Sequence, residues 1–153
     1  MRRAILFLAA AAALAWGVQA QAGWRPADSV ECGSGNHCKV FFESVSWHEA
    51  KKACEKAGGR LASIEGKDKN NDLAGLAKGK PVWVGGVDKG GAGVWAWANN
   101  SPFVHHFFEF PPPKDPKGQD RYLILNSPEK YKWGAGPDKA GEHSKGFVCE
   151  WDN

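Results

Sequence analysis

Apolar and polar positions along this chain fall into short blocks whose period keeps changing. Ala4 to Trp16 is an unbroken apolar run behind Arg2-Arg3, and Ala20-Gln21-Ala22 follows with the small-x-small pattern that a signal peptidase cuts. The run is shorter than the ~20 apolar residues a membrane-spanning helix needs. The expectation is a cleaved leader over residues 1–22 and one domain over residues 23–153. Further on, Trp47, Ala50, Cys54 and Ala57 recur at helical spacing, and Ser46-Trp47-His48-Glu49 is a capping box. The spacing predicts a helix from Trp47 to about Ala57, ended by Gly58-Gly59. A second helix is expected from Lys67 to Ala77, polar in its first half, with Leu73, Leu76 and Ala77 as its buried patch. Strands are predicted at Val40-Phe41-Phe42, Pro81 to Val87, Val94 to Trp97, Tyr122 to Leu125, Tyr131 to Trp133 and Gly146 to Trp151. The second and third of these form a hairpin around the glycine-rich turn Asp88 to Gly93. Cys32 to Cys38 is a tight glycine-rich turn. From Ala98 to Gln119 the pattern stops, and the stretch holds Pro102, Pro111, Pro112, Pro113 and Pro116 together with Phe103, Phe107, Phe108 and Phe110. Connections this long in a compact domain are commonly functional.

Composition narrows the class. With 8 Trp, 9 Pro and 19 Gly against 2 Tyr and 1 Met, aromatic anchors and turns outweigh helix formers, which suits a loop-rich recognition domain. Without Arg2 and Arg3 the chain has 18 Lys+Arg against 17 Asp+Glu, with no basic stripe, so nucleic acid is not expected as a partner. No later run is apolar enough to span a membrane. The four cysteines, Cys32, Cys38, Cys54 and Cys149, are an even set for an exported chain and predict two disulfides, although spacing leaves all three pairings open. Metal chemistry has little support: Cys-x-x-Cys and His-Glu-x-x-His patterns are absent, and His105-His106 are adjacent, so in an extended segment they face opposite ways. Gly75 to Lys80 falls one residue short of a phosphate loop, with Pro81 where the hydroxyl residue belongs. Asn99-Asn100-Ser101 is a glycosylation sequon. No nucleophile–base pair stands out, and an enzyme is not expected.

The order of these pieces resembles the C-type lectin-like domain. The matching residues are Trp47, Ala50 and Cys54 on the first helix, Gly59-Arg60-Leu61-Ala62-Ser63-Ile64, the core strand Val82-Trp83-Val84-Gly85-Gly86-Val87, Trp95-Ala96-Trp97, and the closing Gly146-Phe147-Val148-Cys149-Glu150. The resemblance covers residues 32 to 151. It implies an α+β fold, two helices packed on small antiparallel sheets with a long loop region. It also implies the pair Cys54–Cys149, which leaves Cys32–Cys38, and a module that binds a glycan or glycoconjugate; the leader pattern predicts an extracellular or, in a bacterium, periplasmic location.

This chain departs from the family where many members hold calcium. Calcium takes six to eight hard oxygens, supplied in the family by Glu-Pro-Asn or Gln-Pro-Asp in the long loop and by Trp-Asn-Asp on the following strand. Here the loop has Glu109-Phe110-Pro111 and the strand Trp133-Gly134-Ala135, while Arg121 stands where a further family cysteine would fall. No cofactor is expected. Calcium would need a divergent site rebuilt from Glu109, Asp115, Asp120 or Asp138. The candidate ligand contacts are Phe107, Phe108, Glu109, Phe110 and Trp133. Trp83, Trp95 and Trp97 are expected in the core. The expected function is calcium-independent glycan recognition, with a protein ligand as the alternative.

Overall fold

The computed structural model describes residues 25–33, 35–104, 114–127 and 132–153. The expected leader and Phe107, Phe108, Glu109 and Phe110 lie outside these residues. Along the described chain run β1 (Val30–Cys32), β2 (Asn36–Phe41), α1 (Trp47–Lys56), β3 (Arg60–Leu61), α2 (Lys67–Leu76), β4 (Val82–Asp88), β5 (Trp95–Trp97), β6 (Arg121–Ser127), β7 (Lys132–Gly136) and β8 (Phe147–Trp151). The result is the expected α+β arrangement of two helices on sheet. The strands join in one sheet of order β1-β2-β8-β4-β6-β7, with β3 on β8 and β5 on β4. All pairings are antiparallel except the contact of β4 with β8 at Trp83 and Phe147, so the sheet is mixed. β8 sits near its centre, against β2 along one edge and against β3 and β4 along the other.

α1 forms as its sequence dictates. The Ser46 hydroxyl accepts from the Glu49 N–H, and the Glu49 carboxylate accepts from the Ser46 N–H, satisfying donors that a helix start leaves open. Trp47, Ala50 and Cys54 face inward, and Gly58 turns the chain away at φ 74°. The Trp47 indole N–H donates to the Val84 carbonyl at 2.8 Å, fixing the helix on β4. Cys54 is bonded to Cys149 on β8, closing a separation of 95 residues. A loop of this size contributes on the order of 4–5 kcal/mol in the chain-entropy treatment of cross-links. Cys32 and Cys38 form the second disulfide, across the β1–β2 hairpin.

Two expectations need correction. The first concerns the strand placed at Val40-Phe41-Phe42. It begins earlier, at Asn36, because the cysteine ring is itself a hairpin in which Cys32 pairs with Asn36 and Val30 with Cys38. Phe42 lies beyond it, exposed, with the Lys78 and Lys80 ammonium groups over its ring at 5.9 and 5.0 Å. The second concerns the buried face of the second helix, which extends into its polar first half. Lys69 and Asn70 are buried with Leu73 and Ala74, while Leu76 is half-buried. Lys69 Nζ donates to Glu150, which is 0% exposed at the centre of the sheet, and to Glu65 at 2.9 Å. Glu150 Oε1 also accepts from Arg60 Nε at 2.9 Å and from the Ser63 hydroxyl at 3.0 Å. A buried carboxylate is tolerable only with this degree of pairing.

Candidate functional site

The long connection leaves β5 and returns as β6, and its described ends are anchored by different chemistry. At the leaving end Phe103 packs on Trp97 at 4.8 Å, on Trp133 at 5.8 Å and on Trp95 at 6.5 Å between ring centroids. Trp97 and Trp133 meet edge to face at 5.7 Å, a geometry favoured by the ring quadrupoles. Of the four phenylalanines in this stretch, Phe103 therefore holds the connection down on the body. Val104, next along, is exposed.

At the returning end Asp115 organises the chain. Its carboxylate accepts from the N–H groups of Lys117 at 3.0 Å and Gln119 at 3.1 Å, and its own N–H donates to the Gly91 carbonyl. Those amides, that of Lys117 first, hold the carboxyl below the usual carboxylate range. Asp120 accepts from the Gly90 N–H at 2.7 Å and from Lys89 Nζ at 3.2 Å, and the Gly90 amide is the main cause of its lowered pKa. Arg121 then turns inward to Asp88, which is buried on β4. Its Nε and Nη2 donate to one Asp88 oxygen at 3.0 and 2.5 Å, and the Gly93 and Val94 N–H groups donate to the other. The position where a family cysteine would fall thus carries a buried ion pair that pins the β4–β5 turn to β6.

The candidate residues divide sharply. Phe107, Phe108, Glu109 and Phe110 fall outside the described residues. Trp133, expected as a contact residue, is only 5% exposed; its indole N–H donates to Asn70 Oδ1 at 2.8 Å, and its ring packs on Trp97 and Phe103. It lies in the core, because α2 supplies the one polar partner its N–H needs. Trp83 and Trp97 are buried as expected, and Trp95 is half-buried with the Arg121 guanidinium 5.8 Å from its ring.

The described carboxylates considered for calcium are engaged by other partners. Asp115, Asp120 and Asp138 each have both oxygens engaged by nitrogen donors, Asp138 by the His48 N–H at 3.1 Å and the His48 ring at 2.6 Å. On β7, Gly134 and Ala135 bring no side-chain oxygen. Among the described residues no three His, Cys, Asp or Glu side chains gather as metal ligands would. Sequence reasoning did not anticipate the Glu150–Lys69–Arg60 cluster or the Asp88–Arg121 pair, whose partners lie far apart along the chain.

Comparison with known proteins agrees with this architecture. The Lectin C-type domain model matches residues 43–151. The human C-type lectin domain family 4 member F is 34% identical over 89 residues, 57% of this chain but 15% of that protein. The galactose-specific lectin nattectin of Thalassophryne nattereri is 33% identical over 75 residues, 45% of this chain and 47% of the lectin. This chain thus matches about half or less of the length of either relative. Among solved structures, a calcium-independent type II antifreeze protein superposes with a TM-score of 0.71 at 22% identity, covering 84% of this chain and 95% of that one. With the family model spanning most of the chain and the fold in agreement, the protein belongs to the C-type lectin domain family.

Proposed function

We propose that this protein is an exported recognition module that binds a glycan or glycoconjugate without calcium, through residues 99–119. Phe107, Phe108 and Phe110 serve as apolar anchors and Glu109 as a polar contact, while Trp133 serves the core. The observation that carries the calcium-free reading is the state of the carboxylates. Asp115, Asp120 and Asp138 each already accept from a nitrogen donor on both oxygens, and β7 has glycine and alanine where the family's ligand oxygens stand. Affiliation with lectins, including a galactose-specific relative, supports the glycan. The leader pattern at residues 1–22 and the two disulfides fit an exported protein. A protein ligand is the second reading, favoured by the same lack of calcium-binding oxygens. Aromatic rings suit both, since they cover sugar C–H faces and serve as interface anchors.

A glycan array run with calcium and again with chelator tests the proposal. Binding of the same glycans under both conditions is the expected result, together with a Tm that millimolar calcium leaves unchanged. Phe107→Ala, Phe108→Ala and Phe110→Ala should each weaken that binding while Tm stays close to the parent value. Binding that disappears in chelator overturns the calcium-free reading. A large fall in Tm with binding per folded molecule intact assigns the phenylalanines to structure.

A further inference from the structure

A concave surface built wholly from described residues lies between α1 and β5. It is a groove of about 590 Å³, within the range of small-molecule sites. One wall is a strand face. Val94, Ala96 and Ala98 alternate along β5 and its ends, so they share one side of the strand, while Trp95 and Trp97 take the other and pack into the core. All three outward residues are exposed, Val94 at 73%. An apolar row facing water would normally be polar; here it lines a groove with Trp47 and Val87. The opposite wall is α1, which contributes His48 and Lys51.

The polar groups of the groove select the ligand. Lys51 is paired with Glu55, Lys89 with Asp120 at 3.2 Å, and His48 with Asp138 at 2.6 Å. Both lysines carry their own carboxylate, and the Asp138 carboxylate beside a neutral His48 ring adds negative charge, so the groove offers an anion no unpaired cation. His48 differs from the lysines in what it leaves available. Its ring contacts Trp47 at 5.2 Å and Tyr122 at 5.3 Å, and Tyr122 pairs with Val87 on the side of β4 away from β5, which places the ring on the β6 flank of the groove. The Asp138 carboxylate can only accept, so Nδ1 carries the proton, and in the neutral ring Nε2 is an acceptor. No described residue bonds to it. The Trp47 N–H is already taken by Val84.

We propose that this groove binds a small, uncharged molecule with an apolar body and a hydroxyl group, the body lying along Val94, Ala96 and Ala98 and the hydroxyl donating to His48 Nε2. A phenol is the simplest member of that class. NMR titration of the full isotope-labelled chain, read at the amides of His48 and residues 94–98, tests it with three probes. p-Cresol has the hydroxyl, p-methylanisole has it methylated, and p-toluate replaces it with a carboxylate. p-Cresol should bind saturably and roughly fivefold tighter than p-methylanisole, the worth of one hydrogen bond. p-Toluate should bind no tighter than p-methylanisole. Ala96→Arg fills the groove from an exposed position and should abolish binding with Tm unchanged; Val94→Asp serves the same purpose at a second site. His48→Phe keeps the ring contacts and should erase the advantage of p-cresol over p-methylanisole, whereas a merely structural role for His48 would weaken both probes alike. Shifts that do not saturate, binding that survives both groove variants, or p-toluate binding tightest would each overturn the proposal.

Discussion

The two helices have the same length and differ in how much of what holds them is local. α1 carries its start and face signals within its own segment, a side-chain cap at Ser46, an acidic group at Glu49 and an apolar face recurring at helical spacing, and is then tied to β4 and β8 through Trp47 and Cys54. α2 starts at Gly66 with no side-chain cap, and its inward face carries an ammonium and an amide. What holds it comes from elsewhere in the chain. Glu150 lies 81 residues from Lys69, Trp133 donates to Asn70 across 63 residues, and the Gly33 N–H donates to Asp72 across 39. Both helices have partners far along the chain, but only α1 also carries a side-chain cap of its own. Substitutions in α1 should therefore cost what caps cost, and substitutions around α2 what buried polar groups cost.

The largest expected effect is at Glu150. Glu150→Ala removes the buried acceptor of Lys69 and Arg60 and should destabilise the fold by about 3 kcal/mol, the low end for a broken buried pair because Glu65 and Asp152 still face the two cations. Urea denaturation measures it. Asn70→Ala leaves the buried Trp133 N–H without its acceptor and should cost about 1–3 kcal/mol in the same assay. Ser46→Ala should cost only about 1 kcal/mol, the usual worth of an N-cap. Equal losses at Glu150 and Ser46 would end the contrast between the helices. The smallest effect sharpens it by pH. The Ser46 amide, and then its hydroxyl, hold the Glu49 carboxyl below its ordinary range. Its contribution is therefore present above the unfolded-state pKa and lost as pH falls through the folded one. The difference between parent and Glu49→Gln at neutral pH should vanish in acid.

The same contrast explains what could be read in advance. α1, the β4–β5 hairpin and the helix-to-strand disulfide are marked by local periodicity or by motifs shared with the family. The bounds of α2 are nearly as expected, but not its buried face, because a lysine looks solvated until Glu150 is brought beside it. Trp133 went to the core for the same reason: nothing near it in sequence announces Asn70 as its partner. Phe103 could not be told from its neighbours by type, only by the three tryptophans that fold against it. Val94-Trp95-Ala96-Trp97-Ala98 looks like a core strand because both faces are apolar. Only the placement of α1 shows that one face lines a groove among the described residues.

The position of β8 sets the order in which this protein can assemble. β8 is central to the sheet and supplies both Cys149 and Glu150, yet it comprises residues 147–151, far along the chain from β2, β3 and β4, the strands it joins. Until it arrives, β2 and β3 have no partner on that side, Lys69 has no buried counter-charge, and Cys54 has no proper mate. Pairings this distant in sequence make folding slow. In an oxidising compartment, premature pairing of Cys54 with Cys32 or Cys38 is then the error to avoid. The short Cys32–Cys38 ring, needing only seven residues to close, can remove both competitors before the last strand appears.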